Sequence, residues 1–156
     1  MILAEALWYS DLINGIKFGK DDSKVSSTLA VKVMTKRIAL NKIRKTFDED
    51  NKEFVEGIRP DGYIDLYNKK DKTEDEEAEL KKESTELEKA YGEYITKKNN
   101  EEVSESKPSL TESEFAELLK ANIDTEIMLR DRKIEAPDFL EIIHDSFVSE
   151  ETEEVK

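Results

Sequence analysis

"SKVSSTLAVKVMTKRIALNKIRKTFDEDNKEFVEG", Ser23 to Gly57, has no proline and no glycine before its last position. Leu29, Val33, Leu40, Ile43, Phe47, Phe54 and, just beyond, Ile58 follow one another at steps of 4, 7, 3, 4, 7 and 4. Those steps hold one face of an α-helix, so the stretch reads as a single long helix with an apolar stripe. Val31, Met34 and Ile38 form a second apolar strip beside it. The first half is therefore expected to be covered by two neighbours and the second half by one. Gly57 and Pro60 supply the stop.

The rest of the chain is arranged around this helix. Ile2 to Ile16 reads as a short apolar helix leaving through Gly15 and Gly19. RPDGYIDLYNKKDK, residues 59–72, reads as a turn-rich loop in which Tyr63, Ile64, Leu66 and Tyr67 form a short strand or fold back onto the helices. From Thr73 to Lys98 a second long helix is expected. Thr73 and Glu76 have capping-box spacing, Leu80, Leu87, Tyr91, Tyr94 and Ile95 mark a thin stripe, and the remainder is Glu and Lys. A thin stripe suits one side of an antiparallel hairpin. Residues 99–109 read as a mobile polar linker. Thr111 and Glu114 repeat the capping box and open a helix to Asn122. Ile127 and Leu129 alternate with Met128 and Arg130, which suits a short strand. Pro137 begins a last helix to Phe147, and 148–156 reads as a disordered acidic tail.

The expected fold is therefore mainly α. A helical hairpin domain covers 1–98, with a short N-terminal helix and the 59–72 loop. A helix-strand-helix cap covers 110–147 and folds onto the hairpin.

Composition narrows the function classes. In 156 residues the charged share is 40% and the hydrophobic share 37%, with only 5 Gly and 3 Pro. Such a chain builds a thin core and an elongated shape. A net charge of -13 opposes binding to phosphate backbones, so direct nucleic-acid binding is not expected. Nine basic residues between Lys17 and Lys45, opposed only by Asp21 and Asp22, leave that segment at about +7. No nucleic-acid motif accompanies them, so they are expected to pair with the acidic second long helix or with an acidic neighbouring subunit. There is no cysteine, hence no disulfide, thiol chemistry or Cys-ligated zinc. The apolar start carries Glu5 and Asp11 and no basic flank, so neither a signal peptide nor a membrane span is expected.

Enzyme motifs are missing too. His144 is the lone histidine, and it has no nucleophile motif beside it. Phosphate-cradling glycine loops are absent. TEDEEAE, residues 73–79, lacks the glycine and the spacing of a calcium loop and reads as an acidic helix start. Glu126, Asp131 and Asp138 are spaced as a strand exit and helix start, not as metal ligands. No cofactor, no metal and no enzymatic activity are expected. The candidate interface residues are the aromatics outside the long helices, Trp8, Tyr9, Phe18, Tyr63 and Tyr67, together with Ile127 and Leu129, whose strand offers an edge to a neighbouring chain.

The order of parts resembles a family of small tailed-bacteriophage proteins encoded among virion structural genes. The matching positions are Leu29, Ala30, Phe47 and Glu53 in the long helix, then Phe115, Leu118, Leu119, Glu126, Ile127, Leu129, Lys133, Ile134 and Phe139. The resemblance spans most of residues 3–145, while the 59–72 segment and the acidic tail depart from it. It implies a multi-copy portal, neck or tail-region component, homo-oligomeric within the virion, contacting other virion proteins and assembled in the host cytoplasm. The alternative is a non-virion binding protein, either a tail assembly chaperone or an acidic inhibitor of a host protein.

Overall fold

The computed structural model describes residues 1–149. Six helices and one hairpin follow in order: α1 Leu3–Asn14, α2 Ser27–Ile58, α3 Tyr63–Asn68, α4 Glu74–Asn99, α5 Glu112–Asn122, β1 Ile127–Leu129, β2 Arg132–Ile134 and α6 Ala136–Phe147, with a 3-10 turn at Asp21–Ser23. The protein is mainly helical, with long helices, a short first helix and a small sheet near the C-terminus.

The boundaries follow the capping chemistry. Ser26 Oγ accepts from the Leu29 N–H and starts α2. Thr73 and Glu76 close a reciprocal capping box on α4, and Thr111 and Glu114 do the same on α5. Pro137 sits in the first turn of α6, where its missing N–H costs nothing.

The stripe on α2 is real, but its depth falls along the helix. Leu29, Val33 and Leu40 are buried, whereas Ile43, Phe47, Phe54 and Ile58 are only half-buried. No residue from Asn41 to Lys107 is buried except in part. The molecule thus has a body with a core and an arm without one. In the body, Leu12 and Ile13 of α1, Leu29 and Leu40 of α2, Leu118 of α5, Ile127 of β1 and Phe139 and Ile143 of α6 share one cluster. The C-terminal unit folds onto α1 and the first half of α2 as expected, and shares their core.

The arm is the expected antiparallel hairpin, but the contact is short. Phe54 stacks on Tyr94 with ring centroids 3.9 Å apart, and Lys98 Nζ reaches Asp50 at 3.5 Å. This register sets the end of α2 beside residue 90 or so. The first half of α4 then runs on past it for roughly 24 Å at 1.5 Å per residue. Among the described residues, only α3 lies along that half. Tyr63 Oη is 3.0 Å from Ser84 Oγ, and Lys69 Nζ reaches Glu76 at 2.7 Å.

Several expectations are corrected. Of the two readings of 59–72, the strand does not form and the segment folds back onto the helices: Gly62 turns the chain at φ +78, and Tyr63–Asn68 coils onto α4 as a short helix. The C-terminal unit has two strands, not one, joined at Arg130 and Asp131, both at positive φ (50 and 61). Residues 99–109, expected to be mobile, form a fastened strap. Leu3 N–H donates to Glu101 O at 2.8 Å, Val103 N–H to Met1 O at 3.0 Å, and Leu110 N–H to Phe147 O at 2.8 Å. Lys36 also binds Glu105 and the Ser106 carbonyl, and Pro108 is buried. Of the expected tail, Val148 pairs with Leu110 in a parallel bridge, and Glu150 to Lys156 lie outside the described residues.

Candidate interaction surfaces

The largest surprise lies on α2. Arg37, Asn41 and Arg44 recur at steps of 4 and 3, so they share one face. From the sequence its basic residues are expected to pair with the acidic second long helix or an acidic neighbouring subunit, yet the face turns inward against α1. Arg37 Nη2 donates to the carbonyls of Ile13 and Ile16 at 3.0 and 2.7 Å, satisfying the open end of α1. Asn41 joins Ser10 and Asn14, at 2.9 and 2.8 Å. Arg44 Nη2 donates to Leu7 O at 2.7 Å and to Asp11 Oδ1 at 2.5 Å. Burial pulls the Arg37 guanidinium below its usual value, and among the described residues its Nε has no partner. The Phe18 ring covers it at 5.0 Å.

With that polar seam turned inward, the second apolar strip faces water. Val31 is 65% exposed, Met34 38% and Ile38 63%. The expectation that two neighbours bury this half of α2 fails for this strip. The α1 neighbour sits on the Arg37–Asn41–Arg44 side because three carbonyls and a carboxylate there satisfy buried donors, which apolar side chains could not do.

The basic segment as a whole is also spent differently from the expectation. Lys32 pairs with Glu114 of α5 at 2.7 Å, and Lys36 pairs with Glu105 of the strap. Burial disfavours the charged form of Glu114, but Lys32 and the Thr111 N–H outweigh it and hold the carboxyl below its usual value. The link between α2 and α4 runs the other way, from Lys98 of α4 to Asp50 of α2. Burial works against the Lys98 ammonium, while Glu101, Tyr94 and Asp50 together raise it above its usual value.

The seven candidate interface residues do not form one surface. Ile127 is core at 1% exposure, and Leu129 packs against that core. Trp8, Tyr9 and Phe18 are half-buried on the body, each beneath a cation. Arg130 lies 4.7 Å from the Trp8 ring, Lys107 5.7 Å from Tyr9 and Arg37 over Phe18. Tyr9 also meets Phe147 edge-on, and burial followed by nearby Glu5 raises its phenol. Tyr63 faces α4, leaving Tyr67 as the one aromatic of the seven that is open, at 61%. Ile64 beside it is 45% exposed. The exposed apolar side chains are therefore Val31, Met34 and Ile38 on α2, and Ile64, Tyr67 and, at 38%, Tyr91 on the arm. Leu119, Ile123 and Met128 are further exposed apolar residues of the C-terminal unit. The aromatic signal found Tyr67 and missed the α2 strip, which looked like core because its spacing is that of core.

A cleft of about 650 Å³ opens where α2, the end of α4 and the strap meet. Leu3, Ile43, Phe47 and Val103 line it together with Lys42, Asp50, Lys98 and Glu102. Its lining offers apolar and charged contacts but no imidazole. His144 lies elsewhere, on α6, with Nε2 3.0 Å from Glu112 Oε1 and its ring edge-on to Phe115. Among the described residues, no group of three or more His, Asp or Glu is placed to hold a metal ion, and no helix is long and apolar enough to cross a membrane.

Comparison of the chain with protein families, curated proteins and solved structures found no match.

Proposed function

We propose that this protein is a structural or assembly component of a tailed bacteriophage, a multi-copy part of the portal, neck or tail region that works through helix surfaces. The observation that carries the contact role is the pair of apolar surfaces left open on an otherwise highly charged chain, one on the body and one on the arm. An arm with no buried residue of its own gains most of its burial from something outside it. The phage assignment rests on the order of sequence parts described above, from the Leu29–Ala30 pair to Phe139.

A second reading is favoured by the acidic first turn of α4, where Glu74, Asp75, Glu76 and Glu77 stand together on the arm. In that reading the arm presents acid to a basic partner outside the particle, as a tail assembly chaperone or an inhibitor of a host protein. Mass spectrometry of purified particles separates the two. A virion component is recovered at a fixed multiple of the other structural proteins. A chaperone or inhibitor is absent from particles, and affinity capture from the producing cells returns it with an unassembled tail protein or a host protein. Replacing His144 with Ala leaves particle yield unchanged under both readings.

A further inference from the structure

We infer that the arm of one copy docks on the open α2 face of a second copy, in a head-to-tail contact between two different surfaces. This deepens the assembly reading and rests on it. The acceptor is the outward side of α2. Val31, Met34 and Ile38 follow one another along the helix, and at the same angle the next exposed positions are Lys42 and Lys45. Among the described residues, neither lysine has an ion pair outside its own helix. The donor is the far end of the arm. Ile64 and Tyr67 are exposed, Tyr67 stacked beside Tyr63, while Tyr63 and Lys69 tie α3 to Ser84 and Glu76. The exposed pair therefore sits beside an acidic stretch, with eight acidic and three basic residues between Glu74 and Lys89.

Charge decides between this pairing and the simpler one of α2 on α2. From Ser27 to Phe47 there is no acidic residue. A symmetric pairing through this strip would bury Lys42 and Lys45 with no carboxylate of the facing helix to meet them, and unpaired like charges near a closing interface oppose it. The arm supplies both an apolar pair and the missing carboxylates. Because the two surfaces differ, the pair keeps one free surface of each kind after the first contact. Such contacts propagate until they close as a ring or run on as a filament.

The test uses the full chain and two exposed-site variants, Ile38→Asp on the body and Tyr67→Lys on the arm. Val31→Asp and Ile64→Lys serve as a second pair, and circular dichroism checks that each variant is folded. Mass photometry and sedimentation of the wild type should show species growing with concentration beyond a dimer. Each variant alone should lose self-association by at least tenfold. An equimolar mixture of a body variant and an arm variant should form dimers and nothing larger, because only one intact contact is left. A wild type that stays monomeric, an arm variant that still self-associates, or a mixture that stays monomeric overturns the contact. Those results do not reach the assembly reading, which fails separately if the protein is missing from purified particles.

Discussion

Arg130 Nε donates to Asp11 Oδ2 at 2.7 Å, joining residues 119 positions apart, while Arg44 takes the other oxygen of the same carboxylate at 2.5 Å. Asp11 thereby ties the hairpin tip to the α1–α2 seam. Arg130 also lies over Trp8, which helps to hold it at a positive φ that arginine rarely adopts.

Removing the shared carboxylate should cost more than removing either cation's exposed end. Asp11→Ala leaves Arg44 half-buried with one partner fewer and is expected to destabilise by about 1–3 kcal/mol. Arg130→Ala removes a mostly exposed partner and is expected to cost about 1 kcal/mol or less. Urea unfolding of the two variants checks the order.

The two faces of α2 predict opposite sensitivities. Leu40 is fully buried and Ile38 is 63% exposed, though they are two residues apart. Leu40→Ala should cost about 2–5 kcal/mol, and Ile38→Ala well under about 1 kcal/mol. Equal losses in thermal unfolding would mean that the strip is covered.

Two glycines separate need from accident. Gly19 holds φ +74, and a Cβ there would come within 2.3 Å of the Ser23 carbonyl oxygen. Gly92, inside α4, has nothing near it. Gly19→Ala should destabilise by more than about 1 kcal/mol. Gly92→Ala should stabilise the arm by up to about 1 kcal/mol. Denaturant midpoints of both variants test this.

Acid should loosen the helix starts. Hydrogen bonds from Lys69 and from the Thr73 N–H hold Glu76 below the usual 4.5. Glu114 is held below the same value by Lys32 and Thr111, against the opposing effect of burial. A lowered carboxyl contributes stability that is full above its unfolded value and is lost as pH falls through the folded one. Stability should therefore fall as pH drops below about 4.5, where the unfolded chain binds more protons. Glu114→Gln should flatten that slope in unfolding measured between pH 6 and 3.

Much of the fold was legible because it is written in spacing and caps. The Leu29-to-Ile58 stripe, the Thr73–Glu76 and Thr111–Glu114 boxes and Pro137 each fix a local structure by themselves. What spacing could not show was which face of α2 meets α1. Both faces satisfy helical periodicity, and the choice was made by the carbonyls of Leu7, Ile13 and Ile16 finding donors on Arg37 and Arg44. The hairpin turn was hidden because Arg130–Asp131 lacks the usual Asn-Gly signal and is held by distant contacts with Asp11 and Trp8. The strap was hidden for the same reason, since its polar residues are fixed by Met1, Leu3 and Lys36. Of the interface residues, Tyr67 was visible as an aromatic in an irregular stretch, whereas Val31, Met34 and Ile38 were disguised as core.

The division into a body with a core and an arm whose burial must come from a neighbour is tested most directly by hydrogen exchange of the dilute full chain. Amides of α4 between Glu74 and Lys89 should exchange through openings far easier than those of α1 and α6, and should slow when the chain is concentrated into assemblies. Arm amides as protected as the core in the dilute chain, with no change on concentration, would contradict it.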